Sequence, residues 1–329
     1  MAKLLHLELL ESKKSLLAFS GGIDSSALFF MLLEREIDFD ITIVNYNTRD
    51  ESAHELSYAN ELAKRYNKKC FIHSVTLNES NFEHSARAER YSFFKKIVSE
   101  YGYDYLLTAH QLDDRLEWLL MQLCRGAGVA ELLGVKSLDR LYGIKTIRPL
   151  LEFSKNELLD YLKSNNHKYF IDSSNSDEKY RRNYFRKNFA TPLLEQFNKE
   201  IKSSFKYLER DKNELIEQMS FVHIGDFIYA KNSSSIRSII YSIDRELKSI
   251  GYLISSHERG ILEDKRELIV AREYLVVIDK NYTFMAPYID NITMSKEFKE
   301  ECRKLHIAPK LRGYLYQNQH IFEAIKELH

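Results

Sequence analysis

Residues 20–26 have the types and spacing needed to bind an anion. They read Ser-Gly-Gly-Ile-Asp-Ser-Ser and lie between two apolar runs, 15–19 and 27–33. The first run predicts a buried strand and the second a helix. Glycines let the backbone approach an anion closely, and the N–H groups and dipole of a helix N-terminus favour negative charge. We therefore expect an anion-binding turn formed by Ser20, Gly21, Gly22, Ile23, Asp24, Ser25 and Ser26.

The carboxylate of Asp24 is out of place in such a turn, because it would repel a phosphate. A magnesium ion or an amine beside it resolves the conflict. The turn does not match the Walker A pattern, since no Gly-Lys-Ser/Thr follows it. A glycine turn that simply ends in a Ser/Asp helix cap is the alternative interpretation.

A second group of acids opens another predicted helix. Residues 110–117 read HQLDDRLE and follow the strand-like run 105–108. Glu117 is four residues from Asp113 and three from Asp114, and both spacings can place two carboxylates on one helical face. Such a pair can hold a metal, bind an amine or act as a base. The alternative is a solvated first turn whose acids complement the helix dipole.

Two groups of cations have the chemistry to bind phosphates. Arg87 and Arg90 are three residues apart on the predicted helix 84–101, a spacing that suits phosphate or carboxylate. The block 179–187 reads KYRRNYFRK, in which five cations alternate with three aromatic residues. This composition suits phosphates and stacked bases. For both groups, an exposed basic surface without function is the alternative.

The first half of the chain alternates strand-like and helix-like runs, which predicts an α/β fold: a parallel sheet with helices on both faces. In such sheets, ligands bind outside the carboxyl ends of the strands. Ser20, Tyr46-Asn47 and His110 each follow a predicted strand, so we expect them to share one crevice. The strand-like runs are 15–19, 40–44, 70–75 and 105–108, and the helix-like runs lie near 24–36, 51–67, 84–101 and 113–124.

The pattern changes near residue 192. Long amphipathic helices are predicted near 193–220 and 232–251, followed by two short strand-like runs at 267–270 and 274–278. We therefore expect two domains. Residues 1–195 form the α/β domain, and residues 196–329 form a mainly helical domain with a short strand pair.

Composition excludes several classes of protein. No apolar run among the 329 residues approaches the ~20 needed to span a membrane. Glu8 and Glu11 interrupt the apolar stretch near the N-terminus, so we expect a cytoplasmic protein. The three cysteines are far apart and form no zinc or disulfide pattern. Because the formal net charge is zero, any nucleic-acid binding must depend on local basic patches.

Six segments, in order, resemble the tRNA(Ile)-lysidine synthase family of the PP-loop ATP pyrophosphatase superfamily. The resemblance covers about residues 15–190 and implies an adenine nucleotide alpha hydrolase-like fold. The C-terminal part is loosely similar to the family's helical appended domain, which implies contact with tRNA. The segments are SGGIDS, ARAERY, HQLDDRLE, LCRGAG, IRPLL and DSSNSDEKYRRNYFR, of which the last is the most discriminating.

The resemblance implies an ATP-dependent ligation. The C2 oxygen of the wobble cytidine in tRNA(Ile) with a CAU anticodon would attack the α-phosphate of ATP and release pyrophosphate. The ε-amine of free L-lysine would then attack C2 of the adenylated base and expel AMP. The product, lysidine, changes codon reading from AUG to AUA. ATP and magnesium are the implied cofactors, and neither a membrane nor a protein partner is required.

The resemblance also implies roles for individual residues. ATP would bind on residues 20–26. Asp24, Asp114 and Glu117 would hold and deprotonate the lysine ammonium, and Arg90 would bind the lysine carboxylate. Magnesium would bind Asp24 and Asp113. The side chains implied to contact tRNA or nucleotide phosphates are Arg87, Arg181, Arg182 and Arg186.

Four positions depart from the family pattern. The family commonly shows His-His-x-Asp-Asp-Gln-x-Glu-Thr, where this chain has Gln111, Arg115 and Trp118 in place of the second His, the Gln and the Thr. Tyr46 stands where the family has a His after the second strand. No catalytic role is carried over to these four positions.

Three other functions remain as alternatives. A tRNA 2-thiolase would need a catalytic cysteine pair or cysteines for an iron–sulfur cluster, and the dispersed cysteines argue against it. A glutamine-dependent amidotransferase would need a glutaminase domain or partner. A non-catalytic RNA-binding protein with a vestigial nucleotide site would not need the intact turn and the paired acids. Pyrophosphate release with and without tRNA separates an enzyme from a binding protein.

Overall fold

The structure, a computed structural model, describes residues 3–46, 52–76, 82–171 and 181–328. Asn47, the loop 172–177, and Lys179 and Tyr180 of the basic block lie outside the described residues. The chain divides into two compact units, Met1–Arg210 and Asp211–His329.

The first unit is built on a six-stranded sheet of order β3-β2-β1-β4-β6-β5. All neighbours pair in parallel except β5, which lies antiparallel to β6 at one edge. The strands are β1 (Ser15–Ala18), β2 (Phe39–Asn45), β3 (Cys70–Ser74), β4 (Tyr105–Leu107), β5 (Leu138–Leu141) and β6 (Ile144–Ile147).

Helices cover both faces of this sheet, as the alternating pattern predicted. Side chains alternate along β1, so Leu17 packs in a cluster with Leu28 of α2, while Leu16 packs on the other face with Phe94 of α4. The helices are α1 (Leu7–Leu10), α2 (Ile23–Glu34), α3 (Ser52–Arg65), α4 (Phe82–Tyr101), α5 (Leu112–Leu123), α6 (Val129–Leu132), α7 (Lys155–Ser164), α8 (Arg181–Phe185), a π-helix (Arg186–Ala190) and α9 (Thr191–Leu215).

The hairpin β5–β6 was not predicted from the sequence. Its turn is formed by Tyr142 and Gly143, which both have positive φ, 51° and 84°. Two positive φ angles are typical of the two-residue turns that join antiparallel strands. Tyrosine is rare at such a position, so the usual composition signal for a hairpin was missing.

The strand order fixes where a ligand can bind. The chain runs outward from β1 through β2 to β3, then returns to place β4 on the other side of β1. This reversal opens a crevice outside the carboxyl ends of β1 and β4. The turn of residues 20–22 follows β1, and His110 follows β4. The two predicted groups of chemistry-bearing residues therefore meet at one edge of the sheet.

The division between the units lies at Arg210–Asp211 instead of near residue 195. The reason is α9, which continues through the predicted boundary to Leu215. Leu194 and Phe205 of α9 pack in one cluster with Leu116 of α5, so most of this helix belongs to the first unit.

The second unit contains more sheet than the predicted strand pair. Its antiparallel sheet has five strands in the order β7-β8-β11-β10-β9, and the predicted pair forms only β9 and β10. The other three strands were not predicted from the sequence. The strands are β7 (Val222–Ile224), β8 (Phe227–Lys231), β9 (Glu267–Val270), β10 (Tyr274–Ile278) and β11 (Tyr282–Pro287).

Helices also cover both faces of this second sheet. Val276 of β10 packs with Ile243 of α10 and Leu262 of α11, whereas Leu275 faces Phe298 and Phe322 on the other side. No helix in the described part of the chain is both long and apolar enough to cross a membrane. The helical elements are α10 (Ile236–Ser249), α11 (Ser256–Lys265), α12 (Lys296–Lys304), a 3₁₀ turn (Pro309–Leu311), α13 (Arg312–Gln317) and α14 (Gln319–Lys326).

Candidate active site

The anion-binding turn has the backbone that its sequence predicts. Gly21 has a φ of +75°, and a Cβ added there would meet the ring of Phe170 at 3.2 Å. Gly22 caps α2 without a side-chain hydrogen bond, and the first bond within the helix runs from Ser26 N–H to the Gly22 carbonyl at 2.9 Å. The three N–H groups before Ser26 have no acceptor inside the helix. They form a donor set for an anion.

The three serines of the turn have different roles. Ser26 is fully buried, and its hydroxyl donates to the Gly21 carbonyl at 3.1 Å, so it shapes the turn. The Ser25 hydroxyl lies 3.1 Å from that of Ser20 and accepts the Ser20 N–H at 3.2 Å. Of the three, only Ser20 is exposed. Ser20 is therefore the serine whose hydroxyl is best positioned to contact a ligand directly.

Asp24 lies just inside the turn with a buried oxygen, Oδ1, that has no hydrogen-bond partner among the described residues. Burial and, to a smaller extent, the negative charge of Asp114 raise the pKa of Asp24 to about 7, although Lys155 and Arg186 oppose the shift. An unpaired buried carboxylate oxygen is unfavourable unless a cation arrives. The site therefore fits a ligand that brings positive charge.

A magnesium ion shared with substrate phosphates fits this oxygen better than a metal held only by protein side chains would. Among the described residues, no group of three or more His, Cys, Asp or Glu side chains is arranged to hold a metal. Magnesium, however, is usually bound through one or two carboxylates together with substrate phosphates. Asp24 beside the anion-binding turn matches that requirement.

Asp113 has a structural partner. Its Oδ2 accepts the backbone N–H of Lys155, the first residue of α7, at 3.0 Å. A second bond, from Leu112 N–H to the Phe153 carbonyl at 2.8 Å, joins the same two helix starts. Burial raises the pKa of Asp113 to about 6. Asp113 thus fastens α7 to α5, and its predicted role in binding magnesium stays a prediction.

Asp114 and Glu117 point to the same place, as their spacing predicted, and both are paired with arginines. Glu117 is fully buried. It accepts the Arg182 Nε at 2.9 Å and the Arg186 Nε at 2.5 Å. Asp114 Oδ1 accepts both guanidinium groups, that of Arg186 at 3.5 Å. The predicted acids and two of the predicted phosphate-binding arginines therefore form one four-membered ion cluster.

The charges in this cluster compensate one another. Burial raises the pKa of Asp114, but Arg182, His110 and Arg186 outweigh burial and hold it below its ordinary value. The same acids raise the pKa of Arg182 although burial opposes them. Two carboxylates and two guanidinium groups sum to zero, so a charged ligand can enter only by replacing one of these partners.

His110 sits behind the cluster as a neutral group. Its Nδ1 lies 3.0 Å from the Thr108 hydroxyl. Burial lowers the pKa of His110 to about 4, although the charge of Asp114 opposes this. At neutral pH the ring is therefore uncharged.

Arg87 and Arg90 occupy the α4 side of the site. Arg90 Nε donates to the Tyr46 hydroxyl at 2.9 Å, and that hydroxyl donates to the Ala86 carbonyl at 2.9 Å. Arg87 lies 4.9 Å from the centre of the Tyr91 ring, and its charge acts on His110. Both arginines are exposed. Arg181, also exposed, covers the Phe185 ring at 5.6 Å and takes no part in the ion cluster.

Two residues of the site were missed in the sequence. Lys155 carries the positive charge that acts on Asp24 and Asp113 from the start of α7. Phe170 borders the anion-binding turn, where its N–H donates to the Gly21 carbonyl at 2.9 Å. A lysine directly after the helix cap Ser154 was a usable signal. Phe170 gave none, because only tertiary structure brings it to the turn.

Comparison with known proteins identifies the family. Residues 1–193 match the family described as the PP-loop domain. A tRNA(Ile)-lysidine synthase from Campylobacter jejuni subsp. jejuni is 41% identical over 95% of this chain and 95% of its own. One from Wolinella succinogenes is 40% identical over 96% of this chain and 98% of its own.

The chain belongs to the tRNA(Ile)-lysidine synthase family. The family and fold class predicted from the sequence are therefore confirmed. Among solved structures, a U34-tRNA thiolase from Methanococcus maripaludis is 22% identical, with a TM-score of 0.49, over 63% of this chain and 74% of its own. A similarity at this level carries no functional argument.

The positions that depart from the family pattern have structural partners in this chain. Gln111 caps α5 by accepting the Asp113 N–H, and Asp114 Oδ2 accepts the Gln111 N–H in return at 3.1 Å. Trp118 donates its indole N–H to the Glu131 carbonyl at 2.8 Å and packs against Gly134, where a Cβ would lie 2.6 Å from the indole. Tyr46 positions Arg90. These residues shape the site from outside the reacting atoms.

Arg115 is the fourth such position, and it anchors α9. It is 5% exposed, donates to Glu209 of α9, and lies 4.1 Å from the centre of the Phe205 ring. Burial lowers the pKa of Arg115, and Glu209 opposes the shift. Arg115 therefore joins α5, which carries the acids, to α9, which follows Arg182 and Arg186 in the chain.

We expect Arg115→Gln, which restores the family residue, to lower the free energy of unfolding by about 1.5–3 kcal/mol, the usual worth of a charge-assisted contact. Urea denaturation of the variant, of Glu209→Gln and of the double variant measures the coupling. Arg65→Gln is the control, because Arg65 forms an exposed ion pair with Glu61 at 2.8 Å that contributes little. Additive effects of the two substitutions would show that Arg115 and Glu209 do not act as a pair.

Proposed function

We propose that this chain ligates free L-lysine to C2 of the wobble cytidine of tRNA(Ile) with a CAU anticodon, at the expense of ATP. The observation that supports this most strongly is the family membership. It extends over 95% of the chain and so includes the anion-binding turn, the acids of α5 and the arginines of α8 and the π-helix. The less specific statement, that this chain is a PP-loop enzyme that uses ATP, follows from the family alone.

In the first step, the C2 oxygen of cytidine attacks the α-phosphate and the bond to pyrophosphate breaks. The N–H groups at the start of α2 stabilise the leaving pyrophosphate, because they point at the place where negative charge develops. Asp24 would hold the magnesium ion, which when bound would offset charge on the phosphates. Ser20 supplies an exposed hydroxyl at the same turn.

In the second step, the ε-amine of lysine attacks C2 and AMP leaves with the oxygen. We propose that Asp114 and Glu117 bind the lysine ammonium, which requires Arg182 and Arg186 to transfer from the acids to substrate phosphates. Guanidinium groups bind phosphate and carboxylate with the same bidentate geometry, so this exchange keeps the charges paired. Asp24, with a pKa near neutrality, suits the role of base for the amine.

The α-carboxylate of lysine needs a cation at the other end of the substrate. Arg90 is exposed and is held in place by the Tyr46 hydroxyl, which supports its assignment to this carboxylate. Arg87, near His110, is assigned to phosphate. We further propose that the enzyme acts in the cytoplasm without a protein partner. The support for this last point is the family resemblance.

The thiolase alternative is not favoured by the cysteines. Cys70 lies on β3, Cys124 is exposed at the end of α5, and Cys302 is buried on α12 of the second unit. Burial raises the pKa of the Cys70 thiol to about 11, so it is not a ready nucleophile. The three cysteines lie on separate elements, with no pair on one element.

ATP-dependent incorporation of labelled lysine into tRNA tests the proposed function. We expect incorporation with tRNA(Ile) bearing a CAU anticodon and none when the wobble cytidine is replaced by uridine. Glu117→Gln is expected to release pyrophosphate in the presence of tRNA yet transfer lysine at least ~100-fold more slowly, since its carboxylate acts on lysine. Asp160→Asn, an exposed acid on α7, is the control and should behave like the wild type. Equal loss of both steps in Glu117→Gln would assign Glu117 to metal binding or folding.

A further inference from the structure

The helical run from α8 through α9 has two apolar faces. One is buried: Ala190, Leu194 and Phe205 pack in a cluster with Leu112 and Leu116 of α5. A helix at the surface of a globular protein normally has one apolar stripe and a polar opposite face. A second apolar face on the same run therefore needs its own explanation.

The second face is exposed, and we refer to its four residues as the aromatic stripe. Three of them recur every fourth position; the first lies in the π-helix, and the last, Phe197, lies at a kink in α9, where its φ is −127° and its ψ 32°. The ring of Tyr184 lies 5.8 Å from that of Phe189, edge to face. Exposed apolar side chains grouped on one part of a surface are typical of an interaction site. The four residues and their exposed fractions are Tyr184 (45%), Phe189 (42%), Leu193 (37%) and Phe197 (47%).

The aromatic stripe is continuous with the active site. It begins two residues after Arg182 and resumes three residues after Arg186, the two arginines that hold Asp114 and Glu117. Arg181 and Lys187 add exposed cations to the same turns. Aromatic rings combined with cations suit a polyanion that carries flat apolar groups. A purely apolar protein partner would not select for this combination.

The proposed reaction creates such groups beside the site. A cytidine can reach a buried α-phosphate only by leaving its stack, and its neighbours then lose a stacking partner. We propose that the aromatic stripe stacks the anticodon-loop nucleotides that flank the target cytidine. This inference rests on the proposed function and extends it to how the loop is held open. Phe185, a candidate for stacking on composition, is excluded because it is only 8% exposed.

The test compares two kinds of substitution across a salt series. Phe189→Ala combined with Phe197→Ala should weaken binding of a tRNA(Ile) transcript about 10–100-fold, from the usual worth of base stacking. The slope of log affinity against log salt should not change, because no phosphate contact is lost. The same double variant should bind a transcript that lacks the anticodon-loop nucleotides as the wild type does. Phe189→Tyr combined with Phe197→Tyr should restore affinity.

Tyr207→Ser is the matched control, since Tyr207 lies on the same helix and is 62% exposed but is outside the aromatic stripe. Its tRNA affinity should equal that of the wild type. Unchanged affinity in the double alanine variant would overturn the proposal, as would a change from dimer to monomer in light scattering without loss of tRNA binding. Absence of lysine incorporation by the wild type, together with weakened loop binding by the variant, would reject the proposed function and leave the stacking role standing.

Discussion

Replacing Asp24 with Asn is expected to slow lysine transfer by about 10³-fold or more and, at the same time, to stabilise the ligand-free protein. The loss of rate follows from removing the charge that pairs with the incoming cation beside the anion-binding turn. The gain in stability follows from the buried Oδ1 that lacks a partner. Function and stability conflict at this position because the site is built for a ligand.

The effect on stability depends on pH. The pKa of Asp24 is about 7 in the folded protein and 3.8 ordinarily. Between those values the folded state keeps the proton that the unfolded state releases, so wild-type stability falls as pH rises through this window and levels off above pH 7. Asn cannot ionise. The variant should therefore match the wild type near pH 4 and exceed it above pH 7, by on the order of 4 kcal/mol.

Thermal unfolding of both proteins from pH 4 to pH 9, without ATP, measures this difference. Asp160→Asn serves as the control, because Asp160 is exposed and should show no such divergence. A variant that is no more stable than the wild type at pH 8 would mean that Asp24 has a cation partner even without substrate.

The second large effect is expected at Arg186. Arg186→Gln removes two bonds to the fully buried Glu117 and one to Asp114. Removing one partner of a buried ion pair leaves an uncompensated charge, so the free energy of unfolding should fall by about 3 kcal/mol at pH 8. Lysine transfer should fall at least ~100-fold, because the same arginine is assigned to substrate phosphate.

The pH dependence again has a definite sign. The pKa of Asp114 is held below its ordinary value of 3.8, so its pairing stabilises the fold above that pH, and the contribution is lost as pH falls through the lowered pKa. The difference between wild type and Arg186→Gln should therefore shrink at acid pH. Urea denaturation at pH 8 and at a pH well below 3.8 measures it. Arg181→Gln, in the preceding helix α8 but outside the ion cluster, should change stability by less than ~0.5 kcal/mol.

A compensating variant makes this prediction sharper. Arg186→Gln combined with Glu117→Gln removes the unpaired carboxylate, so much of the lost stability should return while activity stays absent. Stability that does not recover would show that Arg186 acts through packing instead of charge.

Much of the fold and part of the site could be predicted from sequence because they depend on local patterns. Alternating strands and helices predicted the parallel sheet, and β9 and β10 were placed to the residue. The glycine turn requires a positive φ at Gly21, and the structure has it. Asp114 and Glu117 share a face because a helix brings residues three apart together.

The remaining features depend on contacts between distant segments. Nothing local indicates that Arg182 and Arg186 pair with acids some 65 residues earlier. Nor does anything local indicate that an oxygen of Asp113, the predicted magnesium ligand, accepts the backbone N–H of Lys155 at the start of α7. The three strands missed in the second unit are defined by pairing with their neighbours in the sheet and not by propensity alone.

The π-helix Arg186–Ala190 adds one residue between α8 and the first turns of α9. Residues before and after it therefore follow two helical phases, offset by about 100°. On the earlier phase Arg182 faces the acids of α5, and on the later phase Leu194 faces its apolar side chains. A one-residue deletion here would rotate the charged residues before the π-helix relative to the apolar residues after it. The composition of both groups would be unchanged. In this stretch, the number of residues is under as strong a structural constraint as their identity.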